Sequence, residues 1–167
     1  MDLRRLIQNT DCQLVRGDAL TEVTALCCDS RCAGPGALFV CLPGRHADGH
    51  DFAAQAVTAG AAAVLCTHDV PGLPAGCAVL LAGDPRRAMA ALAARLYGEP
   101  ARAMTMIGVT GTNGKTTVTT LIKHMLEQCL HTKVGLIGTN ANVIGDEVLH
   151  TCLLYTSPSP RDRSLSR

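Results

Sequence analysis

Short apolar runs bounded by turn residues recur through residues 1–98, and between them apolar positions return every three or four residues. Residues 23–28 and 37–42 (ALFVCL) are of the first kind and predict buried strands. A helix is predicted over 51–59, where Phe52, Ala56 and Ala59 share a face and Gly60 stands at the C-terminal cap. Residues 62–66 and 78–82 predict two more short strands. Asp84-Pro85 then opens a helix, with the aspartate as N-cap and the proline in the first turn, and Met89, Leu92, Ala93 and Leu96 line one side of it. Strands alternating with helices predict a small α/β domain over 1–98, and Gly98-Glu99-Pro100 reads as a hinge or linker.

A second piece, 101–150, opens with a compact apolar run at 104–109 (MTMIGV), predicted as a strand. The strand runs into Thr110-Gly111-Thr112-Asn113-Gly114-Lys115-Thr116-Thr117, and a helix is predicted immediately after. Val118, Leu121, Ile122, Met125, Leu126 and Cys129 repeat at helical spacing there, the clearest amphipathic pattern in the chain. Residues 134–137 predict another strand and 143–148 a hairpin with a tight turn. Residues 151–167 break with this texture: two Ser-Pro steps and three arginines, with no helical or strand period. They read as a disordered, non-native tail, similar to the translated read-through of a sequencing adapter.

Composition narrows the function classes. Of 167 residues 47% are apolar, which argues against wholesale disorder. Fifteen Lys and Arg nearly cancel fourteen Asp and Glu, and a net charge of +1 argues against a protein that holds nucleic acid through its phosphates. Two Phe, two Tyr and no Trp make base-stacking platforms an unattractive reading and leave the core to Ala, Val, Leu and Ile. Nine cysteines would suit a disulfide scaffold in a short secreted chain, but the N-terminal MDLRRLIQNTD has no apolar segment of signal-peptide type. No apolar run reaches membrane-spanning length. The expectation is a cytoplasmic protein with reduced thiols, monomeric, without nucleic-acid or membrane partners.

The segment from 104 into the following helix carries the strongest chemistry. Glycines let successive backbone N–H groups converge on an anion, and a helix N-terminus adds unpaired donors and partial positive charge. Lys115 can reach β- and γ-phosphates, and the Thr116 hydroxyl can ligate Mg²⁺. The spacing is short: a general phosphate loop has a glycine where Val109 stands, leaving Gly-x-x-Gly-Lys-Thr. A Gly-rich turn with a surface lysine is the bland alternative. In the first domain, Asp29-Ser30-Arg31 ends one predicted strand and 42–50 (LPGRHADGH) ends the next. Strand C-termini collect ligands in open α/β sheets, so Ser30, Arg45 and His46 are candidate donors to a diphosphate. The alternative is that Asp29 caps a turn and the histidines are exposed loop groups.

Two longer stretches, DSRCAGPGALFVCLPGRHADGHDFAAQAVTAGAAAVL and IGVTGTNGKTTVTTLIKHMLEQCLHTKVGLIGT, resemble the Mur ligase family, and within it the MurE type more than the MurF type. The resemblance implies an α/β UDP-sugar-binding domain followed by the truncated start of a P-loop-type ATPase domain. Ser30 and Arg45-His46-Ala47 would contact the UDP-sugar, and Cys28 stands where the family often has an aliphatic residue making a backbone contact. Gly111, Thr112, Asn113, Gly114, Lys115, Thr116 and Thr117 would hold ATP, with Lys115 on the phosphates as the catalytic residue and Thr116 on Mg²⁺. The implied chemistry joins a diamino acid, meso-diaminopimelate or L-lysine, to UDP-N-acetylmuramoyl-L-Ala-D-Glu through an acyl phosphate. The resemblance ends near His150, before the family's further substrate, metal and amino-acid-binding segments, so the chain itself is expected to be inactive.

Two other classes compete with that reading. One is a stand-alone nucleotide-binding module without catalysis. The other is a zinc domain: Cys28 and Cys32, with His46 and His50, approach ligand spacing, but a secured second pair is missing. Cys41, Cys66, Cys77 and Cys129 read as small core residues, His124 and His131 as solvated, and Arg86, Arg87 and Arg95 as the polar side of a helix.

Overall fold

Side chains alternating across four parallel strands build the first of two units. The computed structural model describes residues 1–44, 47–138 and 141–149, and the chain divides into Met1–Thr105 and Met106–Arg167. The first unit holds strands β1 (Gln13–Arg16), β2 (Ala25–Cys27), β3 (Ala37–Val40), β4 (Ala63–Cys66) and β5 (Ala78–Leu81) in the order β1-β5-β4-β3-β2. β2 through β5 are mutually parallel and β1 is antiparallel on β5. Helices α1 (Leu3–Ile7), α2 (Ala53–Thr58) and α3 (Pro85–Leu96) cover the sheet. Leu38, Val40, Leu65 and Leu80 pack with Leu3 and Leu6 of α1 and Ala88 and Leu92 of α3. The intervening residues Phe39, Val64 and Val79 pack with Ala53 and Ala56 of α2. Burial on both faces is why these strands read as continuous apolar runs rather than alternating ones.

All four predicted strands of this unit form, each shorter than its apolar run. The helix predicted over 51–59 begins differently. A 3₁₀ turn, Gly49–Phe52, leads into α2 because the Asp48 carboxylate accepts the His50 N–H at 3.0 Å and starts the coil early. Gly60 follows the helix at φ +112°, the backbone conformation the cap requires. Asp84 caps α3 as expected, accepting from the N–H groups of Arg86 and Arg87 at 3.0 and 3.1 Å, with Pro85 in the first turn. α1 and β1 left no clear sequence signature. A five-residue helix is marginal alone, and tertiary contacts hold it. Arg95 Nη1 donates to the carbonyls of Arg5 and Leu6, both at 3.1 Å, and to that of Gln8. Arg95 is therefore the C-terminal cap of α1 and not merely one side of α3.

Cys41, Cys66 and Cys77 are buried as expected, whereas Cys129 is exposed. Burial pushes the Cys41 thiol up to about 12 and the Cys66 thiol up to about 11, against an ordinary value of 9.0. Unfolded thiols ionise from pH 9 while the folded ones stay protonated, so their contribution is complete below pH 9 and is lost as pH rises toward 11 for Cys66 and toward 12 for Cys41. By pH 10 each thiol should cost about 1 kcal/mol. Urea midpoints at pH 8 and pH 10 should show this fall, and a Cys41→Ala/Cys66→Ala variant should flatten it.

Gly98 (φ +76°) and Glu99 (φ +52°) turn the chain out of α3 into a 3₁₀ turn, Pro100–Ala103. In the second unit α4 (Lys115–Leu130) is followed by β6 (Gly135–Ile137), β7 (Asn142–Ile144) and β8 (Glu147–Leu149), an antiparallel meander. The predicted hairpin is present as β7–β8, turning on Gly145 at φ +59° and Asp146. The strand predicted at 104–109 is absent. That run has no ladder partner among the described residues, and Met104, Met106 and Ile107 are exposed. A strand exists only where a neighbour completes its hydrogen bonds, whereas α4 closes its own. The apolar stripe of α4 is exposed at Val118, Leu121 and Met125. The best-buried residue of α4 is Lys123, whose ammonium bonds both Glu127 oxygens at 2.6 and 2.7 Å. That bond is the first cause holding the Glu127 carboxyl below its ordinary value. No helix among the described residues is long and apolar enough to cross a membrane. The tail at 151–167 lies outside the described residues.

Candidate functional site

The C-terminal ends of β2, β3 and β4 gather polar groups at one edge of the first unit. After β2, Cys28 is half-buried, and Asp29 opens a 3₁₀ turn, Ser30–Cys32, by accepting the Arg31 N–H at 3.0 Å. The Arg31 guanidinium folds back onto the same carboxylate, Nη2 to Oδ2 at 2.6 Å. The turn-capping role foreseen for Asp29 is thus observed. Ser30 Oγ donates to Gln55 Oε1 on α2 at 3.1 Å, tying the turn to the helix that follows β3.

After β3 the chain leaves Val40 and returns at Asp48, with Pro43 and Asp48 bridged and the Gly44 N–H donating to Ala47 O at 3.1 Å. Arg45 and His46 lie outside the described residues, and Ala47 is exposed. Arg86 Nη2 donates to Pro43 O at 3.1 Å, so the arginine assigned to a solvated helix side also fastens this loop. His50 departs from the exposed-loop expectation: it is 8% exposed. Its Nδ1 lies 2.5 Å from Asp48 Oδ1, its Nε2 accepts the Thr67 N–H at 3.1 Å, and its ring stacks on His68 with centroids 4.2 Å apart. Hydrogen bonds from the His50 backbone and ring hold the Asp48 carboxyl below its ordinary value. Asp48, His50, Gln55 and Thr67 were not singled out as one group from the sequence. An Asp two residues before a His is a local turn signal, but Thr67 arrives from another strand.

In the second unit Gly111 (φ +146°) and Gly114 (φ +76°) turn the exposed loop into the N-terminus of α4. Gly114 is the N-cap and supplies no side chain, so no capping side chain competes for the first N–H groups of the helix. Lys115 Nζ donates to Gly111 O at 2.6 Å and Thr112 O at 3.4 Å, placing the ammonium across the loop. Thr119 Oγ1 donates back along the helix to Lys115 O at 2.9 Å. Thr112, Asn113, Thr116 and Thr117 are exposed around this turn. A cavity of about 460 Å³ adjoins it, lined by Lys115, Thr116, Lys123, His124, Gly138 and Asp146 among others. An ammonium, a helix N-terminus and a hydroxyl oxygen together suit a polyphosphate with a hard cation. Among the described residues no group of three or more His, Cys, Asp or Glu side chains is placed to hold a metal ion.

Two family models match the chain. One, described as Mur ligase family, catalytic domain, matches residues 22–97. The other, Mur ligase middle domain, matches residues 109–158 and so extends beyond His150, further than the resemblance in the sequence implies. The UDP-N-acetylmuramoyl-L-alanyl-D-glutamate--2,6-diaminopimelate ligase 1 of Clostridium acetobutylicum is 43% identical over 151 residues, 90% of this chain and 31% of its own length. The corresponding ligase of Caldanaerobacter subterraneus subsp. tengcongensis is 41% identical over 148 residues, 89% of this chain and 30% of its own. The chain thus spans under a third of the relatives it matches. Among solved structures, a MurF of Acinetobacter baumannii aligns with a TM-score of 0.60 and 28% identity, over 77% of this chain and 27% of that one. A UDP-N-acetylmuramoyl-L-alanyl-D-glutamate--2,6-diaminopimelate ligase aligns with a TM-score of 0.66 over 89% of this chain and 29% of that one; at 21% identity it speaks for the fold.

Proposed function

Because the chain belongs to the Mur ligase family, we propose that it is part of an ATP-dependent ligase that adds a diamino acid to UDP-N-acetylmuramoyl-L-Ala-D-Glu in peptidoglycan precursor synthesis. The observation that carries the reading is the turn at Gly111–Gly114, which delivers Lys115 to the start of α4 with the ammonium across the loop. Gly111, Thr112, Asn113, Gly114, Lys115, Thr116 and Thr117 are the ATP-binding residues of this reading. Lys115 would exchange its loop carbonyls for phosphate oxygens, and the backbone N–H groups at the helix start would meet the remaining charge. Thr116 would hold Mg²⁺, which when bound neutralises phosphate charge. The first unit takes the UDP-sugar with Cys28, Ser30 and Ala47, which follow the C-terminal ends of its strands, and with Arg45 and His46. Few aromatics are available for the uracil, so backbone groups and aliphatic contacts must serve it. Diaminopimelate is the diamino acid favoured by the names of the relatives. Positioning and charge neutralisation are the work such a site does on a phosphoryl transfer.

Titration calorimetry of the full chain tests both halves. Binding of the UDP-linked dipeptide and of Mg-ATP is expected. Lys115→Met should weaken ATP by about ten- to a hundredfold, the value of hydrogen bonds to a charged group, and leave the UDP-sugar untouched. Equal ATP affinity in the variant would show that the loop is not used, and absence of UDP-sugar binding would remove the substrate assignment.

A further inference from the structure

The deepest side chain of α4 is a charged one. Lys123 is 8% exposed, and its ammonium bonds both oxygens of Glu127 one turn further along the helix. On an open helix surface such a pair contributes little, but a lysine turned inward has given up water and depends on its partner. The carboxylate held in this way has a second task. Its Oε1 accepts the N–H of Val134, the residue before β6, at 3.4 Å. The Val134 carbonyl in turn accepts the Gly145 N–H at 3.2 Å, at the turn between β7 and β8. A continuous line of bonds therefore runs from the middle of α4, through the start of β6, to the tip of the hairpin. That line borders the cavity beside the proposed ATP loop. Lys115, Thr116 and Lys123 line it from α4, and Leu136, Gly145 and Asp146 line it from β6 and the hairpin turn. Between these two sides the chain reverses at His131, with φ +48°.

We propose that Lys123 and Glu127 are positioning residues for the nucleotide: their pair ties β6 and the hairpin turn to α4 and so sets the width of the cavity beside Lys115 and Thr116. The inference rests on the ATP reading above for its ligand, and on the line of bonds alone for its mechanics. Neither residue is assigned a contact with ATP; their effect is transmitted through Val134. A displaced wall changes the space open to a phosphate and its cation without altering Lys115 or Thr116.

Two readouts on the full chain separate the ligand assignment from the mechanics. Amide hydrogen exchange follows Val134 and Gly145. Val118, whose N–H bonds Gly114 O at 2.9 Å in the first turn of α4, is the reference. Calorimetry follows Mg-ATP. In Glu127→Ala, exchange at Val134 and Gly145 should rise and ATP affinity fall by about tenfold, with Val118 unchanged. Glu127→Gln keeps an oxygen for both Lys123 and the Val134 N–H, and should bind ATP within about threefold of the parent. The exchanged pair Lys123→Glu/Glu127→Lys restores opposite charges on the helix. It also sets an ammonium, which cannot accept a hydrogen bond, beside the Val134 N–H. It should therefore behave like Glu127→Ala. A role in helix stability alone predicts the reverse, so parental ATP affinity in the exchanged pair overturns the positioning role. Unchanged exchange at Val134 and Gly145 in Glu127→Ala overturns the tie. Faster exchange there with unaltered ATP affinity overturns the positioning role. A parent chain that does not bind Mg-ATP overturns the ATP reading and with it the positioning role, while exchange still decides whether the pair ties β6 to α4.

Discussion

Phe39→Ala should destabilise the first unit by about 3–5 kcal/mol, the range for emptying a buried aromatic site. Phe39 is 1% exposed at the centre of β3 and is the bulkiest fully buried side chain. Most of the cluster it belongs to is small: Cys41, Ala53, Ala56, Ala61, Cys66 and Cys77 sit there beside Val64, Val70, Leu73 and Val79. Alanine and cysteine have no length with which to close over a vacancy, so relaxation should recover little of the lost packing. A unit of this size loses roughly 4–8 °C of thermal midpoint per kcal/mol, so the variant should melt well below the parent in calorimetry. Phe52→Ala is the control: that ring is 39% exposed and its removal should cost about 1 kcal/mol or less. Similar melting of the two variants would mean that the sheet face against α2 is not the tightly filled core described.

Gly49→Val should cost about 3 kcal/mol, at the upper end of what overpacking does. A Cβ at Gly49 would stand 2.6 Å from Leu42 N, 2.9 Å from Cys41 Cα and 3.0 Å from Cys41 C. All three are backbone atoms at the end of β3, and the Gly49 N–H is itself bonded to Leu42 O at 3.0 Å. No side chain can move aside, so the loop must move and carry Asp48 and His50 with it. Gly76→Val supplies the comparison, because nothing lies within 4 Å of a Cβ there and its φ is ordinary. Its effect should stay within about 0.5 kcal/mol. Urea denaturation of the two variants checks the contrast. Equal midpoints would show that the approach of Gly49 to β3 is not as close as described.

What the sequence by itself determined was the set of features whose cause is local. The capped, Pro-started α3, the hairpin turning on Gly145, the buried strands and the glycine-framed start of α4 are legible because each depends on neighbours within a few residues. The proposed ATP loop could be picked out for the same reason: its glycines, lysine and threonine lie in one short run. Tertiary structure decided what depends on partners far along the chain. The apolar run at 104–109 has strand composition but no ladder partner among the described residues, and the stripe on α4 has helical spacing but stands exposed. α1 forms because Arg95, some ninety positions away, caps its carbonyls. His50 could be read as a loop histidine until β4 brought Thr67 to its Nε2. Periodicity records which face an element offers; only the assembled sheet decides what meets it.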